Sequence, residues 1–258
     1  MNEISRRVVV KGLTAGVPLA AILADPVLAA AAAAKTETVT IKTAGGRTVS
    51  GALALPKKSP APAVLLIHEW WGLNDQIKTM AVEFSRQGYV ALALDMYGGK
   101  VAGAGNRDEA MALMKATDMA AGVDIGTSWV SWLRKNKRVK EKVATCGWCF
   151  GGMWSLNISI ATPVDATVIY YGRVNRTADD LKNLKGPVLG HFGLKDKSIN
   201  KEMVDGFEAE MKKAGKTFTN HWYDADHAFA NPTGARYDGG AAKQSWQRTT
   251  KFLKETLA

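Results

Sequence analysis

Residues 143–152 read Val-Ala-Thr-Cys-Gly-Trp-Cys-Phe-Gly-Gly, and this stretch decides the fold. An apolar run leads into it, and residues 153–161, with the composition of a helix, follow. Between the two stands Gly-x-Cys-x-Gly, the pattern of a sharp strand-to-helix turn that exposes a nucleophile. Gly147 and Gly151 are expected where side chains would collide with neighbouring backbone, and Gly152 where the new helix packs close to the sheet. The helix N-terminus would favour the reactive thiolate of Cys149.

The same stretch contains a second pattern, because Cys146 and Cys149 form a C-x-x-C pair. Such a pair is typical of a redox site or of half a metal site, but a chain with only two cysteines lacks the second pair that structural zinc needs. In redox motifs the first cysteine opens the helix, whereas these glycines put Cys149 at the turn and Cys146 inside the strand. The sequence favours a nucleophile and leaves a redox pair or an inert buried cysteine as alternatives.

The N-terminus has the features of an export signal. Ser5-Arg6-Arg7-Val8-Val9-Val10-Lys11 is a twin-arginine pattern, residues 12–28 are weakly apolar, and the alanine-rich residues 29–34 offer a cleavage site. Pro18, Asp25 and Pro26 interrupt the apolar run, so no stable membrane anchor is expected. We predict that residues 1–34 are a signal peptide that engages the twin-arginine (Tat) machinery and is removed. The protein would then be periplasmic or secreted; a disordered alanine-rich tail is the alternative.

The net charge of +10 changes little without the signal, since about +9 remains after residue 34. A basic surface attracts anionic substrates or envelope polymers. The densest basic run, residues 134–142, is most simply a solvated helix end and loop. Nucleic-acid binding is not expected, because export removes the usual partner and no recognition motif is present.

Residues 35–258 predict a single α/β domain. Residues 38–43 and 47–55 alternate in polarity and predict an antiparallel hairpin. Short runs, mostly apolar, then predict strands over 63–67, 89–94, 142–146, 165–170 and 188–192, and a last strand is predicted over 217–223. Helices are predicted over 75–87, 107–121, 123–135, 153–161, 178–184, 201–214 and 239–257. This alternation is typical of a mainly parallel, doubly wound sheet behind an N-terminal antiparallel hairpin.

Chemically active side chains follow the predicted strands. Ligands of such sheets bind beyond the carboxyl ends of the strands, so one edge should carry Glu69, Asp95, Cys149, Asp196 and His227. A cysteine nucleophile needs a base near its sulfur, and the base needs an orienting acid. Cys149, Asp196 and His227 occur in the chain order nucleophile, acid, base. Taken singly, Asp196 could be a helix cap and His227 an ordinary loop residue; together they predict a Cys-His-Asp triad.

The predicted pocket needs an oxyanion hole and walls. Backbone N–H groups of Phe150 and Trp70 are the candidates for the oxyanion hole. Trp70, Trp71, Trp148 and Tyr97 would wall the pocket, with packing in the core as the alternative for each.

These motifs resemble the dienelactone hydrolase (carboxymethylenebutenolidase) family of the α/β-hydrolase fold. The resemblance runs from Thr38 to the C-terminus and rests on Glu69-Trp70-Trp71-Gly72, Asp95-Met96-Tyr97, Gly147-Trp148-Cys149-Phe150-Gly151-Gly152, Asp196 and His227-Ala228-Phe229-Ala230. It implies a hydrolase that opens enol-lactones or small esters through an acyl-cysteine intermediate, with no metal or organic cofactor. It also implies that Glu69 contacts the thiol and takes part in its activation.

The chain departs from the family pattern where the substrate binds. The family holds a substrate carboxylate with two arginines; Arg107 matches one, and Asn231 stands in place of the other. Met111 replaces a family tyrosine. Asn231 is therefore expected to offer a neutral amide to the substrate, and Lys100 or Arg236 could supply the missing charge. Two other functions stay open: a thiol-disulfide oxidoreductase using Cys146 and Cys149, and a non-catalytic protein that binds small acids.

Overall fold

The computed structural model of the protein describes residues 17–258. The predicted twin-arginine pattern at Arg6 and Arg7 lies outside the described residues. Among residues 17–258, no helix combines the length and the apolar character that crossing a membrane requires.

One eight-stranded sheet runs through the molecule in the order β1-β2-β4-β3-β5-β6-β7-β8. β1 and β2 form the predicted hairpin, β2 pairs antiparallel with β4, and every other pairing is parallel. The strands are β1 (Glu37–Lys42), β2 (Thr48–Ala54), β3 (Ala61–Ile67), β4 (Val90–Leu94), β5 (Val139–Trp148), β6 (Ala166–Tyr170), β7 (Val188–Gly193) and β8 (Phe218–Tyr223). The α/β-hydrolase fold expected from the sequence is thus confirmed.

Helices cover both faces of this sheet. They are α1 (Leu19–Ala24), α2 (Pro26–Ala33), α3 (Asp75–Arg86), α4 (Arg107–Lys115), α5 (Met119–Lys135), α6 (Phe150–Ala161), α7 (Lys201–Lys213) and α8 (Gly239–Leu257). A 3₁₀ turn over Asp180–Asn183 replaces the predicted helix 178–184. Alternate residues of β3 supply the two cores: Leu66 packs with α3 and α8, and Leu65 packs with α5 and α6. This burial on both faces explains why the central strands are continuous apolar runs.

The structure moves one predicted helix boundary. The sequence predicts a break at Gly122, but α4 ends at Lys115 and α5 already begins at Met119. Asp118 caps α5 by accepting a hydrogen bond from the Ala121 N–H at 2.9 Å. Gly122 lies inside α5. A glycine is needed at this position because a Cβ there would come within 2.1 Å of the Trp154 ring. The glycine serves close helix packing and does not end a helix.

Part of the predicted signal peptide packs on the domain. Leu23 of α1 lies in one core with Ile77 and Met80 of α3. The Thr79 hydroxyl donates a hydrogen bond to the Ala29 carbonyl of α2 at 2.9 Å. A cavity of about 470 Å³ is lined by residues of α2, α3, β1 and β2 and of the loops after β3 and β4. The sequence gives this segment no role in the fold, whereas the structure shows that it covers one side of α3.

Candidate active site

Cys149 occupies the sharp turn between β5 and α6. Its backbone has φ 55° and ψ −117°, which an L-residue adopts only under strain, and its N–H donates to the Tyr170 carbonyl at 2.9 Å. A Cβ at Gly147 would lie 2.0 Å from the Gly151 carbonyl oxygen, and one at Gly151 would lie 2.2 Å from the Ile67 carbonyl oxygen. Crowding of backbone against backbone therefore accounts for both glycines of the motif.

Asp196 and His227 come together behind this turn. Asp196 follows β7 and His227 follows β8, and His227 Nδ1 donates to Asp196 Oδ2 at 2.6 Å. The other carboxylate oxygen of Asp196 accepts from the N–H groups of Ser198 and Ile199, which fixes the carboxylate. The Cys149 side chain also acts on the His227 imidazole and raises its pKa. The structure thus joins Asp196 and His227 by a direct hydrogen bond and places Cys149 near enough to act on the His227 imidazole.

The surroundings of His227 favour its protonated imidazole form. Burial alone would lower the pKa of His227, but hydrogen bonds to Asp196 and Cys149 outweigh burial and raise the pKa to about 10. Burial would likewise raise the pKa of Asp196, but the hydrogen bond from His227 outweighs it and the pKa is lowered. An imidazolium at neutral pH can stabilise negative charge on sulfur and can deliver a proton to a leaving oxygen.

Glu69 is buried directly after β3. Its Oε1 accepts a hydrogen bond from the Tyr171 hydroxyl at 3.2 Å, and its Oε2 accepts from Nδ2 of Asn231 at 2.5 Å. Burial raises the pKa of Glu69, although these hydrogen bonds and the nearby charges of His227 and Arg236 oppose the shift. The Tyr171 ring lies 5.2 Å from the His227 ring, so Glu69 and its partners adjoin the Cys-His-Asp group.

Asn231 is placed differently from the prediction. The sequence predicts that its amide faces the substrate, but the side chain is buried and its amide is bonded to Glu69 and to Thr233. The side chain of asparagine is much shorter than that of arginine, so at this position it reaches only its buried neighbours.

The two predicted oxyanion donors follow the carboxyl ends of β5 and β3, Phe150 at the start of a helix and Trp70 in a loop. Phe150 is the first residue of α6, where an N–H has no acceptor within the helix. Within residues 17–258, the N–H of Trp70 is likewise without a backbone acceptor. Gly151 packs against the carbonyls of Ile67 and His68, so the start of α6 lies against the end of β3.

The predicted aromatic wall is divided between site and core. Trp70 and Trp71 pack edge to face with ring centroids 5.0 Å apart, and the Arg107 guanidinium lies 5.7 Å from the Trp70 ring. Tyr97 packs on Phe150 at 5.6 Å, and its buried hydroxyl has no hydrogen-bond partner among the described residues. Trp148 does not join this group, because it is buried and stacks on Tyr170 at 5.4 Å.

Two neighbours of the site were not singled out from the sequence. Tyr171 holds Glu69, and its position directly after β6 was the available signal. His68 is buried; its Nδ1 lies 2.6 Å from the Glu69 carbonyl, and its Nε2 accepts from the Met96 N–H. Burial lowers the pKa of His68 to about 4, so this histidine is neutral and ties together the loops after β3 and β4.

Cys146 lies apart from this chemistry. It sits inside β5, paired with Leu66 and Val168, and its side chain is buried in the core beside α3 and α8. Both cysteines are free, and burial raises the pKa of the Cys146 thiol well above its ordinary value. A protonated thiol in an apolar core is unreactive, which disfavours a redox pair.

The doubly wound sheet, the strained turn and the strand-end acid and histidine together define an α/β-hydrolase. The model of the dienelactone hydrolase family matches residues 49–257, and the chain belongs to that family. It is therefore a hydrolase.

Individual relatives match this chain over most of its length and over nearly all of their own. Protein usf of Aquifex pyrophilus is 35% identical over 82% of this chain and 95% of its own. Carboxymethylenebutenolidase of Pseudomonas putida is 28% identical over 84% of this chain and 96% of its own. The crystal structure of a dienelactone hydrolase-like promiscuous phosphotriesterase from metagenomic libraries has a TM-score of 0.77, 24% identity, and covers 87% of this chain and all of its own.

Proposed function

We propose that the protein hydrolyses small carboxylic esters or enol-lactones through an acyl-cysteine intermediate. Cys149 is the nucleophile, His227 the proton carrier and Asp196 the residue that orients His227. The observation that carries this proposal is the 2.6 Å hydrogen bond between Asp196 and His227, directly behind a cysteine in a strained turn. The relatives named carboxymethylenebutenolidases support the substrate class.

Acylation begins when Cys149 Sγ attacks the carbonyl carbon and the carbonyl oxygen becomes an oxyanion. The N–H groups of Phe150 and Trp70 stabilise that oxyanion; losing one such donor costs ~10²–10³ in rate. Collapse of the tetrahedral intermediate breaks the bond to the leaving oxygen, and His227 Nε2 delivers its proton to that oxygen. In a lactone, the leaving oxygen stays attached to the acyl group.

Deacylation uses water. His227, now neutral, takes a proton from a water molecule as it attacks the thioester carbonyl carbon. Collapse of the second tetrahedral intermediate breaks the carbon–sulfur bond and releases the carboxylic acid. Cys149 and His227 return to the protonation states in which the turnover began, so protons and atoms balance over one turnover.

Arg107 is the candidate for binding a carboxylate on the substrate. Its guanidinium lies over Trp70, whose N–H is a proposed oxyanion donor, so a carboxylate at Arg107 would sit close to the reacting carbonyl. Trp71 lies against Trp70 and would form the adjoining wall. The Tyr97 ring packs beside Phe150 and would form a further part of this wall.

We also propose export of the precursor by the twin-arginine machinery to the periplasm or beyond. The support is the sequence pattern around Arg6 and Arg7, followed by an apolar stretch and small residues.

Ester hydrolysis by two cysteine variants tests the catalytic proposal. Cys149→Ala is expected to abolish hydrolysis of p-nitrophenyl acetate, while Cys146→Ala keeps most of it because Cys146 is buried in the core. Mass spectrometry of the wild type under acylating conditions should show the acyl group on Cys149. Equal loss of activity in both folded variants, with insulin reduction by the wild type, would instead identify a thiol-disulfide oxidoreductase.

A further inference from the structure

The orientation of the Asn231 amide is determined by its neighbours. Its Oδ1 accepts from the backbone N–H of Thr233 at 3.0 Å and from the Thr233 hydroxyl at 2.7 Å. A backbone N–H can only donate, so the atom facing Thr233 must be the amide oxygen. Nδ2 therefore points the other way, and it donates to Glu69 Oε2 at 2.5 Å.

Glu69 is thereby held between two uncharged donors. Tyr171 binds Oε1, Asn231 binds Oε2, and Tyr171 and Asn231 are both buried. The charged groups that act on this carboxyl are His227 and Arg236, and Tyr171 also feels the charge of Cys149. A buried carboxylate with two hydrogen bonds is fixed in direction, since turning it would leave a donor or an acceptor unpaired.

We propose that Asn231 is a positioning residue which, with Tyr171, locks Glu69 beside the Cys149–His227 pair and so sets the pH range in which the thiol is activated. In this arrangement Asn231 acts through Glu69 and does not contact the substrate. The inference rests on the proposed function for its kinetic meaning, because it assigns Glu69 a part in activating the proposed nucleophile.

Asn231→Asp separates this role from simple packing. Aspartate has the shape of asparagine and keeps the Oδ1 contacts to Thr233, but it replaces the Nδ2 donor with an acceptor. Two carboxyl groups in contact cannot both ionise readily, so they hold a shared proton to higher pH. The acid limb of the kcat/KM profile for p-nitrophenyl acetate is expected to move up by about one pH unit, with KM little changed.

A measurement that needs no substrate tests the role of Asn231 independently of the proposed ester hydrolysis. The rate of Cys149 alkylation by iodoacetamide, followed by mass spectrometry over the same pH range, should shift in the same direction. If the wild type alkylates at Cys149 but hydrolyses no ester, the proposed function fails, and the alkylation profile still decides the role of Asn231.

The chain offers a matched control on its surface. Asn220 donates to Glu208 Oε2 at 3.1 Å in an exposed pair, so Asn220→Asp makes the same chemical change away from the site. Its pH profiles should equal those of the wild type. Tyr171→Phe removes only the hydroxyl that binds Glu69 Oε1, and it provides a second test if Asn231→Asp does not fold.

Two results would overturn the inference. One is a wild-type acid limb, in both hydrolysis and alkylation, for a folded Asn231→Asp or Tyr171→Phe protein. The other is a rise of KM in Asn231→Asp for a carboxylate-bearing lactone that is absent for its methyl ester, with unchanged pH profiles. That second result would show that Asn231 contacts the substrate.

Discussion

Glu69 shows how burial changes the behaviour of a single residue. Its ordinary pKa of 4.5 is raised by burial, because a charged carboxylate is poorly solvated there. Between pH 4.5 and the raised pKa, the folded protein holds a proton that the unfolded chain has released. The folded state therefore loses stability as pH rises through this interval.

Glu69→Gln is expected to gain stability over the wild type as pH rises above 4.5, and the gain should level off above the raised pKa. Glutamine has no charge to bury, while its amide can still pair with Tyr171 and Asn231. Urea unfolding at pH 4.5, 6 and 8 measures the difference, with exposed Glu208→Gln as the control. A difference between Glu69→Gln and wild type that is constant with pH would show that the carboxyl is not destabilised by burial.

The residue types at the strand ends predicted which side chains would share one edge of the sheet. They did not predict contacts between side chains that are far apart in the sequence. Cys149, Asp196 and His227 were predictable because nucleophile, acid and base follow strands whose carboxyl ends share one edge. The bond between Asn231 and Glu69 joins residues 162 positions apart, and it depends on where a loop turns back. The same limit applies to Trp148, whose neighbour Cys149 points into the site while Trp148 points into the core.

At the scale of elements, apolar runs predicted the central strands β3 to β7, because buried parallel strands need continuous apolar sequence, and alternating polarity predicted the hairpin of β1 and β2. The helix boundaries were harder to predict from the sequence. Gly122 has the appearance of a helix break, but its function is to let α5 approach Trp154 of α6. A glycine that ends a helix and a glycine that permits close packing look the same in one sequence.

Gly122→Ala is therefore expected to destabilise the protein, although alanine is the better helix former. The new methyl would lie 2.1 Å from the Trp154 ring, and such overpacking typically costs about 1–3 kcal/mol. Gly206 in α7 is the matched control, since a Cβ there meets no atom within 4 Å, and Gly206→Ala should stabilise by about 0.5–1 kcal/mol. Thermal unfolding measures both; a stabilised Gly122→Ala would show that the α5–α6 contact is not as tight as the structure has it.

At the scale of the whole molecule, the N-terminal helices share no side-chain hydrogen bond with the catalytic group among residues 17–258. Leu23 of α1 and Ala29 of α2 contact α3, while in the part of the chain that the structure describes the side-chain hydrogen bonds of Glu69, Asp196 and His227 involve only residues after position 68. Removing residues 17–34 would uncover the side of α3 around Ile77 and Met80 and would remove no hydrogen-bond partner of Glu69, Asp196 or His227. The catalytic domain should therefore fold and act both with and without the predicted signal.

Replacing Arg6 and Arg7 by lysines is expected to keep the precursor in the cytoplasm as a folded, active hydrolase. Lysine preserves the charge of the pair but lacks the guanidinium fork, and the export receptor reads the arginine pair itself. Esterase activity and immunoblotting of cytoplasmic and periplasmic fractions measure the distribution. Arg47→Lys, outside the signal, is the control for this variant and should be exported like the wild type.

A chain that begins at Lys35 should be equally active in the cytoplasm but less thermally stable, because Ile77 and Met80 lose the cover of α1 and α2. Wild-type export of the double lysine variant would mean that the protein leaves by another route, and an inactive chain from Lys35 would mean that α1 and α2 belong to the mature domain.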